Sequence, residues 1–372
     1  MFPPPENRKT KKTSRNRHRK LFLTIAAAAF LLILIVFVII IIPKDPAVLS
    51  GAEIPIMIDG SYAYTKEFVF YEDEGELVCV DFDGKKKWSR ELPQSGMNIY
   101  ANGKTVIAFN SKSVSVFTAT GELMSVTDFY GSVMVVRASE TMTAVMVQNS
   151  GGTPSIVLLD RKGVELKRET FEEKYLIDFG FYNNSLYYYT VDAEAMFPVS
   201  NILTVSEKLN STGNVTVEGQ MLQNILFRDN DLYAVGTNHI IKTDYLGKKL
   251  YEKLIYGWIY VDSYIAENGN PVMLFKLGGE AANTDQIFTI RVVSEDSADV
   301  YMKMPLTSVQ VAIGNEKIYV FSKEETKIFD FSGKLIREQK FANHVTKIEV
   351  LPDTAHAIAF SGNRAFLITL PK

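Results

Sequence analysis

Residues 68–92 read FVFYEDEGELVCVDFDGKKKWSREL. Apolar residues alternate through Phe68 and Phe70, and a polar turn follows at Glu74-Gly75. A second run, Leu77 to Phe82, ends at Asp83-Gly84, and a more polar third run continues to Leu92. Period-two alternation bounded by Gly and Asp describes antiparallel strands joined by tight turns. Glycine accepts the positive φ such turns need, and Asp bonds back to the turn backbone.

The same unit returns along the chain. Its marker, an apolar strand then a turn ending in Gly, appears at Val80–Lys85, Phe117–Glu122, Leu159–Val164, Thr243–Lys248 and Phe329–Lys334. The marker glycines, Gly84, Gly121, Gly163, Gly247 and Gly333, are spaced by 37, 42, 84 and 86 residues. The last two intervals are close to twice 42, so members are expected near 205 and near 290. Degraded copies lie there. Ile202–Val205 and Val215–Val217 flank a polar turn around Asn210–Gly213, and Ile287–Val293 and Val300–Met304 flank Ser294–Asp299. The strand before each marker also repeats, as in TVIAF at 105–109, LYYYT at 186–190 and IYVF at 318–321.

A period near 40 with four short strands per unit indicates a β-propeller, in which each twisted sheet buries its faces against its neighbours. Seven full units are followed by an incomplete eighth, Val345 to Leu370, which lacks an outer strand. Ile54 to Ile58 (IPIMI) precedes the first unit and is expected to pair onto the last, closing the ring and removing an exposed edge. The expected fold is therefore all-β: an eight-bladed β-propeller, with seven blades as the alternative, preceded by one transmembrane α-helix.

That helix is read from Leu21 to Ile42, 22 residues without a charge. At about 1.5 Å per residue it reaches about 33 Å, enough to cross a hydrocarbon core of about 30 Å. A cleaved signal peptide has a shorter apolar core, of about 7–15 residues. Residues 1–20 carry eight Lys/Arg and one acid, a net +7 that leaves −10 on the rest of a −3 chain. Basic residues flanking an apolar span stay in the cytoplasm, so the N-terminus is expected inside and the remainder outside. The organisation expected is a disordered basic cytoplasmic tail (1–20), the membrane helix (21–42), a linker (43–52) and an extracytoplasmic propeller (53–372). The acidic body repels phosphate backbones, which excludes nucleic acid as its partner.

Residues 77–92, LVCVDFDGKKKWSREL, resemble the PQQ-like propeller repeat with its apolar-Asp-x-x-Gly-Lys-x-x-Trp core. Only this unit keeps the Trp, at Trp88; the others match in turn and strand pattern alone. Quinoprotein dehydrogenases share this repeat, and so does the lipoprotein propeller of the outer-membrane assembly machine. A basic tail, one anchor and one propeller looks most like a family of membrane-anchored PQQ-like propellers of unknown function from Gram-positive bacteria. The resemblance implies fold and location, and no activity.

Little catalytic chemistry is legible. A quinone site needs a vicinal Cys pair, and Cys79 is the chain's one cysteine. His18, His239, His344 and His356 are far apart, with no H-x-x-x-H or H-E-x-x-H spacing. The acidic run Glu72-Asp73-Glu74 lacks the spacing of a calcium loop and reads as a solvated hairpin tip. No nucleophile elbow, P-loop or dinucleotide fingerprint occurs. No catalytic, metal or cofactor residue is therefore assigned, and no cofactor is expected. The sequons at Asn183, Asn210 and Asn214 matter only on a eukaryotic secretory route.

Aromatic residues supply the one surface hint. Tyr256, Trp258 and Tyr260 alternate and so share a strand face, and Tyr187–Tyr189 form a second cluster. Such rows either anchor a partner or sugar, or fill the gap between blades. The expected function is a non-enzymatic scaffold at the cell envelope that binds an envelope protein, wall polymer or ligand. Its partner on the membrane side is the lipid bilayer, through Leu21–Ile42. The alternative is an extracytoplasmic carbohydrate-active hydrolase or lyase with its site at the propeller funnel.

Overall fold

The computed structural model describes residues 49–192, 194–279, 286–305, 307–351 and 354–370. The expected membrane helix and basic tail lie outside them. Among the described residues there are eight four-stranded antiparallel sheets, the blades of a propeller. Blades 1 to 7 take 62–91, 98–128, 132–170, 175–218, 222–254, 258–303 and 310–340 in chain order. Each is a meander from an inner strand at the axis to an outer one at the rim. Blade 8 takes three strands from 347–369 and its outer strand, β1 (Gly51–Ile54), from the start of the described chain. The eight-bladed reading and the ring closure both hold.

The closing strand sits three residues earlier than IPIMI. It pairs Gly51 with Ile368 and Ile54 with Ala365. Pro55 has no N–H to donate, so the ladder stops at Ile54. Gly51 is required at the other end, because a Cβ there would lie 2.0 Å from the Leu367 carbonyl oxygen. Gly51 and Ala52, assigned to the linker by sequence, thus belong to blade 8. Ile56 still contributes: it is buried beyond the strand against blades 8 and 1.

No blade is dry alone. Phe70, Leu77 and Cys79 of blade 1 bury against Ile99, Val106 and Phe117 of blade 2, and each further joint has such a cluster. Inner strands of neighbouring blades share no backbone ladder, so side chains link them. The Asn102 amide donates to the Ala138 carbonyl (2.6 Å), and Asp262 accepts from the Ile313 amide (3.0 Å). The Gln310 side chain both donates to the Ile348 carbonyl and accepts from its amide. Arg137 of blade 3 lies over the Tyr100 ring of blade 2 and the Phe179 ring of blade 4.

The marker turns behave as expected. Asp81 Oδ1 accepts from the Asp83 and Lys85 amides, and Asp160, Asp244 and Asp330 repeat the pattern. In blade 4 the turn is Ser206–Asn210, four residues earlier than expected; Gly213 is already in the outer strand. Ser206 Oγ replaces the Asp carboxylate, and Leu209 takes the glycine's place at φ +65°. The blade 6 turn falls between Ser294 and Val300, as the spacing required.

Candidate functional site

The aromatic residues chosen by sequence separate in the structure. Trp258 and Tyr260 lie in the blade 6 inner strand and pack half-buried into the joint with blade 5. Tyr260 accepts from Asn224 (2.6 Å) and donates to Ser263 (2.7 Å), and burial pushes its hydroxyl up to about 12. The Trp258 ring lies 5.7 Å from that of Tyr301, with the Arg291 guanidinium over both. Tyr188 and Tyr189 are buried, and Tyr187 lies against Phe227 of blade 5. These rings therefore fill joints between blades. Tyr256 differs: it sits in the connection before the strand and is 75% exposed.

Tyr256 belongs to a feature that the sequence did not reveal. Antiparallel meanders put the outer-to-inner connections and the second-to-third turns on one end of the propeller. On that end blades 3 to 6 expose Tyr130, Tyr175, Met196, Phe197, Met221 and Tyr256, from 44% to 108%. Connections at 129–131, 219–221 and 255–257 carry no charge, while that at 171–174 carries Glu172, Glu173 and Lys174, which line a cleft of about 490 Å³ between blades 3 and 4. In blades 7, 8, 1 and 2 the matching connections bury Leu92, Met97, Met304 and Val345, and among the described residues Met57 is the large apolar exception. The inner strands of blades 3 to 6 also share a bulge near their starts, which lets Met134 and Ile177 stand half-exposed.

A cleft of about 880 Å³ opens beside the inner strands of blades 8, 1 and 2. Tyr62, Tyr64 and Tyr100 line it with Lys66, Lys104, Glu67, Glu140 and Glu349. The Tyr62 hydroxyl donates to the Glu349 carboxylate; burial, then this bond, hold Tyr62 far above the usual phenol range. A Tyr kept protonated is a hydrogen-bond donor, not a base. Among the described residues no three His, Cys, Asp or Glu side chains group to hold a metal. Glu72 of the acidic run accepts from the Gly75 amide (2.8 Å), as a hairpin tip does. Cys79 is fully buried, with its thiol pushed up to about 12 by burial, and is unreactive there.

No protein-family model matches the chain, and no curated protein matches its sequence. Its likeness is to solved propellers of low identity. BamB from Moraxella catarrhalis is 13% identical over 87% of this chain and 100% of its own, with a TM-score of 0.50. The Dos1 propeller is 11% identical over 86% and 95%, with a TM-score of 0.58. The WD40 domain of SCAP from fission yeast is 8% identical over 87% and 98%, with a TM-score of 0.56. This chain shares a β-propeller fold with them.

Proposed function

We propose that the chain is a binding scaffold: a propeller tethered outside the cell by one membrane span, with its N-terminus in the cytoplasm. The exposed aromatic and Met side chains on one end of blades 3 to 6 carry this reading. A monomer gains nothing from keeping them in water, and with three of the four connections uncharged they suit a partner surface that is apolar in part and meets Glu172, Glu173 and Lys174 at its edge. Likeness to propellers such as BamB and a WD40 domain supports the scaffold reading at the level of fold alone. The span and its direction rest on the apolar run at 21–42 and the basic block before it.

The test is site-specific photocrosslinking in intact cells. A photoreactive residue at Tyr175 or Tyr256 is expected to capture a protein that one at Leu246, exposed on the opposite end, does not. Equal capture at both ends, or none at Tyr175 and Tyr256, overturns the reading. Location is tested separately with Tyr130→Cys, since buried Cys79 stays silent. A membrane-impermeant maleimide labels it on whole cells if the propeller is outside.

A further inference from the structure

A second cavity lies on the other end of the propeller, where blades 4 and 5 meet. It measures about 240 Å³. Four aromatic rings line it: Tyr182 and Tyr187 from blade 4, Phe227 and Tyr245 from blade 5. Phe227 stacks on Tyr182 at 5.3 Å and lies 4.9 Å from Tyr187 and 6.2 Å from Tyr245. Hydrogen bonds hold two of the rings, one of them across the joint. The Tyr182 hydroxyl accepts from the Asp229 amide (2.9 Å), and the Tyr245 hydroxyl donates to the Asp229 carbonyl (3.0 Å). The surface is thus rigid before any ligand arrives.

The rest of the lining is amide, hydroxyl and one carboxylate. The Asn183 and Ser185 side chains have no hydrogen-bond partner among the described residues. Thr212 and Thr204 pair with each other at 3.0 Å. Asp229 is the one charged lining residue, and the Arg228 guanidinium lies 3.9 Å from its carboxylate. A phosphate or carboxylate ligand would find no cation in the lining. A quaternary ammonium would find rings, but its only counter-charge in the lining is a carboxylate 86% exposed to water, which screens it. A neutral ring with one apolar face and several hydroxyls meets what is there. The volume is just under the roughly 300 Å³ at which drug-sized pockets begin, enough for a single ring.

We propose that this cavity is a monosaccharide-sized subsite for a neutral pyranose, in which the aromatic wall packs on the sugar face and Asn183 and Ser185 bond its hydroxyls. The site is distinct from the apolar end of blades 3 to 6, so its failure leaves the scaffold reading standing.

Saturation-transfer NMR on the full chain in detergent tests it, with methyl β-glucoside, N-acetylglucosamine and choline at millimolar concentration. One of the two sugars is expected to bind and choline is not. Asn183→Gly removes the side chain while tolerating the positive φ of this turn (+52°), so it tests the Asn183 hydrogen bonds with the turn conformation still allowed. It is expected to weaken binding about fivefold. Tyr245→Leu is expected to weaken it about tenfold, and Tyr256→Leu to leave it unchanged. The proposal is overturned if neither sugar binds, if Asn183→Gly binds as the wild type does, or if choline binds more tightly than both sugars. Thermal unfolding of each variant separates lost binding from lost fold, and Asn183→Gly keeps the test decisive if Tyr245→Leu unfolds.

Discussion

Trp88, in the outer strand of blade 1, lies directly against Gly121, in the marker turn of blade 2. A Cβ at Gly121 would meet three Trp88 ring atoms at 2.8 to 3.1 Å, and the indole N–H donates to the neighbouring Ala119 carbonyl (3.1 Å). The relationship recurs around the ring. Gly84 sits on Ala52, Gly163 on Ser125 and Thr127, and Gly333 on Val300 and Met302. Gly84, Gly121, Gly163 and Gly333 thus have two duties, a positive φ and room for the outer strand of the preceding blade, while Gly247 has the positive φ with looser contact, 3.4 Å from the Asn214 carbonyl oxygen.

These duties can be measured apart. Gly121→Ala pays for both a left-handed Ala and a clash with an indole, and is expected to lose about 2–4 kcal/mol. Gly96 also has positive φ (+72°) but nothing within 4 Å of its Cβ position. Gly96→Ala is therefore expected to lose only about 1–2 kcal/mol. Urea denaturation of both variants is the check. Equal losses would show that the Trp88 contact carries no weight in blade docking.

Much of this architecture was readable because turn chemistry is local. The Asp-to-Gly marker specifies its own hydrogen bonds and φ, so period and blade number followed from it. Where another residue type does the same work the signal fades: Leu209 adopts the glycine conformation, and the blade 4 turn lies four residues before the expected position. The closing strand lies three residues before IPIMI because the feature that fixes it, the approach of Gly51 to Leu367, is non-local. The same limit applied to the surface. Alternation put Tyr256, Trp258 and Tyr260 on one face, but whether a blade covers that face depends on residues such as Asn224 and Arg291, distant in sequence. The exposed end of blades 3 to 6 comes from isolated residues in separate connections, which no window of sequence brings together.

Ring closure rests on very few residues. Ile54 is 3% exposed and packs with Val69, Tyr71, Phe360 and Leu367 from blades 1 and 8. Ile54→Ala is expected to cost about 2–5 kcal/mol. Its signature is local: amide exchange should quicken first in the blade 8 strands 356–361 and 364–369, which lose their cover. Glu53→Gln, at an exposed pair with Arg364, should change exchange far less. Uniform quickening across all blades in Ile54→Ala would contradict closure by this strand.

Arg291 and Asp299 form the most buried ion pair among the described residues, with side chains 9% and 12% exposed. Two guanidinium nitrogens reach Asp299 Oδ2 at 2.9 and 2.6 Å, one also reaches the Leu254 carbonyl of blade 5, and Lys253 adds a second cation. Removing the anion leaves two cations facing each other. Asp299→Asn is expected to cost about 3–5 kcal/mol. Glu165→Gln, breaking the half-exposed pair with Arg168, is expected to cost under about 1 kcal/mol. Denaturation midpoints decide, and a small loss in Asp299→Asn would mean that water reaches this joint.

The joint between blades 8 and 1 carries a proton-sensitive contact. His356 stacks on Phe82, with ring centroids 4.1 Å apart and planes 2° apart, and its buried Nδ1 has no hydrogen-bond partner among the described residues. Burial lowers its pKa, while Asp83 nearby pulls the other way. The unfolded chain then binds a proton more readily than the folded one, so stability is lost as pH falls through the unfolded value of about 6.5. A separate loss follows in stronger acid. The Lys87 bond to Asp81 and the Ser332 bond to Asp330 hold these carboxyls below their ordinary range, so their contribution is present above about pH 4 and lost beneath it. Asp262, raised by burial, opposes this second step because protonation costs it less when folded. His356→Phe keeps the stack without the proton. It is expected to abolish the first decline and leave the second, read from urea midpoints between about pH 8 and about pH 3. A first decline of unchanged size in His356→Phe would assign it to another group.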